Sequence, residues 1–302
     1  MCYDIKASLE AQKSRAERSG NLNAAGEIEA LLRKHSPIER GHVNGFEHPI
    51  LGLYTSQQPD EMSLGRWGLI PHWFQAAPQD LKFNTLNARS ESMFDKAAFA
   101  QAAEKHRGIL MVDGFYEHQH RSTGIYPYFI YRKDQKPMAL ACICEPLTSR
   151  PQPLHERKSD QFFDSDIDSD IRWFSFSIVT IKANDLMSEI HNNPKLKQGR
   201  MPLILTPEME EHWLEPVAKN SEAFTLSRFD GGPPQGLSEQ FTQQSQEIEL
   251  EAHTVASLRK KTAKISGNRA LQHGTSNKIY DASAPFEYPE LRKDWDLFSG
   301  LS

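Results

Sequence analysis

Ile109-Leu-Met-Val-Asp-Gly-Phe-Tyr-Glu-His118 is the passage from which the fold is read. An apolar strand, Ile109–Asp113, starts directly after Gly108 and runs through Gly114 into Phe115-Tyr-Glu-His118, with no helix between the two halves. Tyr126–Arg132 and Pro137–Cys144 then read as a hairpin, and Trp173–Ile181 alternates as a core strand. Shorter strands fit Ile50–Tyr54 and Met201–Leu205. Helices are fewer. The spacing predicts one over 92–107, with Ser92 as cap, Phe94, Ala98 and Ala102 on one side and Gly108 as stop. Residues 6–34, broken around Ser19-Gly20-Asn21, read as a helical hairpin on the domain surface, and Pro207–Leu214 as a short helix. Many short strands between few helices imply an α+β fold, not a βαβ sheet.

The 302 residues are read as a single domain with a sizeable core. Two stretches stand apart from its pattern: a polar, acidic insertion over 148–170, expected to be mobile, and a Gly/Pro/Gln-rich part from about 230 that regains pattern at Ile248–Leu258. The hydrophobic share of 38 % and charged share of 25 % are those of an ordinary globular chain. No apolar run approaches the roughly 18 residues of a membrane helix, and no signal-peptide pattern opens the chain, so a cytoplasmic protein, most simply a monomer, is expected. Three cysteines make no disulfide framework, and Cys142 and Cys144, alternating along one strand, read as buried thiols. A net charge of −5 argues against non-specific coating of nucleic acid but leaves room for a local basic groove. No P-loop, dinucleotide fingerprint, nucleophile elbow or helical pair of metal-binding histidines is present; His118 and His120 share a strand face but lack a third ligand, and the motifs require neither cofactor nor metal.

The chemistry that remains begins at Met1-Cys2. Removal of the methionine leaves an α-amine and a thiol on adjacent atoms, with ordinary pKa values of about 8 and about 8.5. Such an aminothiol can capture an aldehyde, first as an imine and then as a thiazolidine ring. Glu117, where a strand meets a turn beside Phe115 and Tyr116, is either a surface carboxylate or a general acid–base. His191 suits proton transfer and Arg200 a phosphate clamp, against the plain alternatives of a loop histidine and a surface arginine. Asn87 and Arg89 either cap a following helix or place an amide and a guanidinium over a substrate backbone. Trp67, Pro71 and Trp73 form one compact turn, either core packing or a device that stacks on or wedges between unpaired bases.

Taken in order, Cys2, Trp67-Gly-Leu-Ile-Pro-His-Trp73, Asn87-Ala-Arg-Ser-Glu91, Gly114-Phe-Tyr-Glu117, and Ile190-His191 with Arg200-Met-Pro202 make the chain resemble the SOS response-associated peptidase (SRAP) family. Members of that family shield abasic sites in single-stranded DNA. The resemblance implies a barrel-like mixed, mainly antiparallel sheet flanked by helices, with a basic groove for single-stranded DNA. By the same resemblance Cys2 is the nucleophile that forms a thiazolidine crosslink with the ring-opened sugar. Asn87 holds its amine, Glu117 is the acid–base and His191 assists proton transfer. Arg89 and Arg200 hold phosphates, and Trp67, Pro71 and Trp73 shape the strand. The family name also implies a peptidase that releases its own leading residues; here only Met1 precedes the cysteine.

Departures are specific. Tyr3-Asp4 replace the Gly-Arg that commonly follows the cysteine, putting a negative charge where a phosphate contact is expected. The stretch between His191 and Arg200 is longer than usual, and His118 stands where tryptophan is frequent. Two other functions fit the residues: an N-terminal-nucleophile amidohydrolase, and a single-strand binding module in which Cys2 is incidental.

Overall fold

The computed structural model describes residues 2–18, 20–35, 42–76, 78–81, 84–148, 172–215, 226–228, 234–258 and 282–291. Its strands are β1 (Asp4–Lys6), β2 (His42–Asn44), β3 (Ile50–Thr55), β4 (Gln58–Trp67) and β5 (Asn87–Arg89). They continue with β6 (Arg107–Val112), β7 (Gly114–Arg121), β8 (Gly124–Arg132), β9 (Met138–Leu147) and β10 (Trp173–Lys182). Last come β11 (Arg200–Pro202), β12 (Ile204–Leu205), β13 (Leu226–Arg228), β14 (Pro234–Leu237) and β15 (Leu250–Thr254). The helices are α1 (Leu9–Arg18), α2 (Leu22–His35), α3 (Ala100–Lys105), α4 (Asp185–Ile190), α5 (Pro207–Leu214) and α6 (Glu239–Gln246).

Strands β10, β4, β3, β6 and β9 follow one another in hydrogen-bonded order, and β9 pairs back onto β10 to close a five-stranded barrel. Every pair in the ring is antiparallel except β10–β4, which runs parallel from Trp173↔Leu64 to Phe176↔Trp67. Closure removes the sheet edges that would otherwise present unpaired backbone groups. Buried residues occupy the whole of β6 and nearly all of β9, because one face fills the barrel and the other lies under helices α1, α3 and α5. The fold is α+β, as the strand pattern led us to expect, with the mixed, mainly antiparallel barrel that the family resemblance implied.

The stretch 109–118 spans two sheets. Its first half is β6 in the barrel; after Asp113 the chain becomes β7, inside a second, wholly antiparallel sheet ordered β15-β8-β7-β1-β2. Asp113 fixes the junction: its carboxylate accepts from the Ser8 backbone N–H at 2.6 Å and the Ser8 hydroxyl at 2.8 Å, while its own N–H donates to Lys6 O at 2.8 Å. Ser8 in turn accepts from Ala11 N–H at 3.0 Å and so starts α1. Arg15 and Arg18 of that helix bind buried Glu210 of α5 at 3.1 and 2.6 Å. The helical hairpin anticipated over 6–34 is present as α1 and α2.

Other expectations change. Residues 126–132 and 137–144 do not pair with each other. β8 instead forms a hairpin with β7 through a two-residue turn closed by Gly124 (φ +156°), and β9 crosses into the barrel. The helix expected over 92–107 is confined to α3. Met93, Phe94 and Phe99 are all buried; neighbours 93 and 94 cannot both lie centrally on one helical stripe, so the segment winds through turns instead. Asn87–Arg89 is therefore a strand, β5, and the chain passes from it into turns, not a helix. Within the part from about 230, Ser238 accepts from Phe241 N–H at 3.1 Å and caps a helix, α6, that the polar composition concealed. The acidic insertion, residue 148 excepted, and residues 171 and 259–281 lie outside the described residues. Among the described residues no helix is long and apolar enough to cross a membrane.

Gly114 opens β7 where a Cβ would fall 2.3 Å from the backbone oxygen of Ile130. Gly114→Ala must push β7 and β8 apart, and a loss of about 1–3 kcal/mol is expected. A urea midpoint lowered at constant slope would register it; an unchanged midpoint would show that the strands yield freely.

Candidate active site

The ladder between β1 and β7 runs Lys6↔Gly114, Ile5↔Phe115 and Asp4↔Tyr116. Cys2-Tyr3 and Glu117-His118 leave it at the same end, so antiparallel pairing alone carries the start of the chain to Glu117. Cys2 is buried, 1 % exposed, with its thiol 3.8 Å from the Asp4 carbonyl. Burial, and secondly the charge of Glu117, push the Cys2 thiol far up, so it is a protonated S–H at neutral pH.

Asn87 comes from β5, which pairs in parallel with β10 at Asn87↔Ile178. Its Nδ2 donates to Cys2 O at 2.8 Å, while its buried Oδ1 meets no partner among the described residues. A buried acceptor left unpaired costs about 1–3 kcal/mol, and this one belongs to a side chain already bound to Cys2.

Glu117 accepts from the His118 backbone N–H at 3.0 Å through Oε1; its Oε2 lies 3.8 Å from Nε2 of His191. Asn184 caps the short helix α4 by accepting from Met187 N–H at 3.0 Å, and His191 ends it. The imidazole is buried and fixed at its other nitrogen, with Arg200 N 2.8 Å and Arg200 O 3.0 Å from Nδ1. The longer stretch between 191 and 200 therefore bulges outward and returns, leaving its two ends in contact. Burial lowers the His191 pKa below its ordinary value, with Glu117 opposing that shift, and the ring is neutral at pH 7.

The other anticipated residues divide. Arg89 is exposed at the end of β5. Arg200 is buried, its guanidinium engaged by both carboxylate oxygens of Glu91 and by Thr180 O at 2.6 Å. The guanidinium anticipated for a phosphate is thus paired with Glu91. Trp67 is fully buried, donates to Leu86 O at 2.9 Å and stacks on Phe176 with ring centroids 6.4 Å apart. Pro71 is also buried, whereas Trp73 is 44 % exposed and donates to Ala97 O at 3.0 Å. Asp4 does not present its charge outward; it is buried beside His42, Oδ1 to Nε2 3.0 Å. His42 carried no signal in the sequence, and Glu91 was legible only as the end of its motif; neither pairing could be read, because each partner lies far off in the chain.

A family model described as SOS response associated peptidase (SRAP) matches residues 3–251. The abasic site processing protein HMCES of Gallus gallus is 29 % identical over 177 residues, covering 50 % of this chain and 44 % of that protein. The chain thus spans less than half the length of this relative. The abasic site processing protein YoqW of Bacillus subtilis is 29 % identical over 214 residues, covering 67 % and 82 %. Among crystal structures, a protein from Bacteroides thetaiotaomicron superposes with a TM-score of 0.57 at 25 % identity, over 84 % of this chain and 92 % of the other. One from Bordetella bronchiseptica shares the fold, with a TM-score of 0.52 at 20 % identity over 85 % and 100 %.

The electrostatics of the His191–Glu117 pair can be tested directly. The His191 ring is expected to titrate below the ordinary histidine value of about 6.5, and Glu117→Gln, which removes the opposing charge, should lower it further. Because the folded pKa is depressed, this group's contribution to stability is present above the unfolded value and is lost as pH falls through the folded one. Ring-proton chemical shifts followed against pH measure both; a value raised by Glu117→Gln would contradict the arrangement.

Proposed function

The chain belongs to the SOS response associated peptidase family, and from that membership we propose that it processes abasic sites in single-stranded DNA by crosslinking to them through Cys2. The observation that carries this reading is the convergence, at one end of the β1–β7 ladder, of Cys2, the spare Oδ1 of Asn87 and the Glu117–His191 pair.

An abasic deoxyribose opens to an aldehyde at C1′. With Met1 removed, the Cys2 amine adds to that carbon and gives a carbinolamine. Glu117 protonates the departing hydroxyl, water leaves and an imine remains. The Cys2 sulfur then adds to the imine carbon, its proton passes to nitrogen by way of Glu117 or His191, and a thiazolidine closes. The balance is aldehyde plus aminothiol giving ring plus water. A buried, protonated thiol fits this order, because sulfur acts second and a neutral His191 can accept a proton. Asn87 Oδ1 offers the acceptor that a new amine N–H needs. Arg89 contributes a backbone phosphate contact and Trp73 an exposed ring beside the strand, while Trp67 and Pro71 support the turn from below. Arg200 acts on His191 through its backbone rather than on a phosphate.

The test is an oligonucleotide carrying one abasic site, mixed with protein whose intact mass shows that it begins at Cys2. A heat-resistant shifted band on a denaturing gel is expected. Cys2→Ala should abolish it, and Cys2→Ser should leave only an imine trapped by borohydride. Glu117→Gln should slow crosslinking at least about 10²-fold, and binding should weaken as salt rises. No band from the processed wild type would overturn the assignment.

A further inference from the structure

Beside Cys2 lies an aromatic pair to which the reaction above gives no role. Phe46 is 49 % exposed at the tip of a single 3-10 turn, Gly45–Glu47, and its ring lies 4.8 Å from that of Tyr3, tilted by 32°. We propose that Tyr3 and Phe46 form a stacking platform for the nucleobase next to the abasic sugar. The inference rests on the crosslinking reading and adds to it a substrate subsite.

The turn that presents Phe46 is fixed from several sides. Gly45 N–H donates to Tyr3 O at 2.7 Å, and Asn44 Oδ1 accepts from Phe46 N–H at 2.9 Å. His48, in the left-handed region at φ 49°, closes the turn by donating its N–H to Gly45 O at 2.9 Å. Below, Gly45 sits against the buried Trp67 ring, where a Cβ would come within 3.1 Å. The Trp67 ring therefore closes the underside of the turn at Gly45. Tyr3 is placed by its chain neighbour Cys2 on one side, and its hydroxyl lies 3.4 Å from Asn84 Nδ2 on the other. It also lies within the field of both Glu117 and Arg89, which act on its phenol in opposite directions.

A large ring left half in water forgoes much of the stabilisation that its full burial would bring. The missing base of an abasic site supplies a matching need: its neighbour in the strand has one π-face without a stacking partner. Aromatic side chains satisfy any base in this way, irrespective of sequence. Arg89, on the same β5 strand as Asn87, can then neutralise the adjoining phosphate.

The experiment places 2-aminopurine, a fluorescent base quenched by stacking, on either side of the abasic site. Wild-type protein is expected to quench it on one side only. Phe46→Ala should lose the quench and weaken binding of the abasic oligonucleotide about tenfold, and Phe46→Trp should restore both. Thermal melts of each variant establish that it is folded. A wild type that crosslinks without quenching, or a folded Phe46→Ala that quenches and binds as before, overturns the platform and leaves the crosslinking reading standing. A wild type that quenches without crosslinking does the reverse.

Discussion

Three residues of backbone pairing hold the arrangement together. β1 is only Asp4–Lys6, yet it is bonded on both sides, to β2 and to β7. Chain ends usually fray because little ties them down; this one is a central strand, and buried Asp4 is further pinned beside His42. Without that insertion Cys2 would sample solvent, and Glu117, Asn87 and His191, supplied by three other parts of the chain, would have no common neighbour. The barrel contributes the other half of the constraint. β10 receives β5 along one edge and thereby delivers Asn87 to the Cys2 carbonyl.

Burial at this point decides protonation. The thiol is kept as S–H and the imidazole as its neutral form, both chiefly by desolvation. At Arg200 the buried guanidinium links Glu91 to Thr180, while the backbone N–H of the same residue donates to His191 Nδ1. A lone arginine in sequence looks alike as a phosphate contact and as an ion-pair partner, and only the carboxylate beside it separates the two.

The two tryptophans of the Trp67–Trp73 turn make the same point. Spacing and type are identical, but Trp67 faces Phe176 and Gly45 inside the fold, while Trp73 meets water. Which ring turned inward depended on β4 ending at Trp67 in register with Phe176 of β10. The departure at Tyr3-Asp4 also resolves in two directions: Asp4 is absorbed into an internal pair, and Tyr3 joins Phe46 at the surface.

Much was legible in the order of residues because it depends on short-range pattern. The strands at 50–54, 109–118 and 173–181, the paired helices before residue 36, and the α+β class all follow from periodicity and turn chemistry. Cys2, Asn87, Glu117 and His191 could be named for their chemical types and the order of their motifs. Their meeting could not be read that way. β8 chose β7 over β9, residues 92–99 gave up a helix to bury Met93, Phe94 and Phe99, and Arg200 found Glu91, each through contacts between distant parts of the chain. Local sequence sets what a segment prefers, whereas burial and long-range pairing set what it touches, and the second governs reactivity.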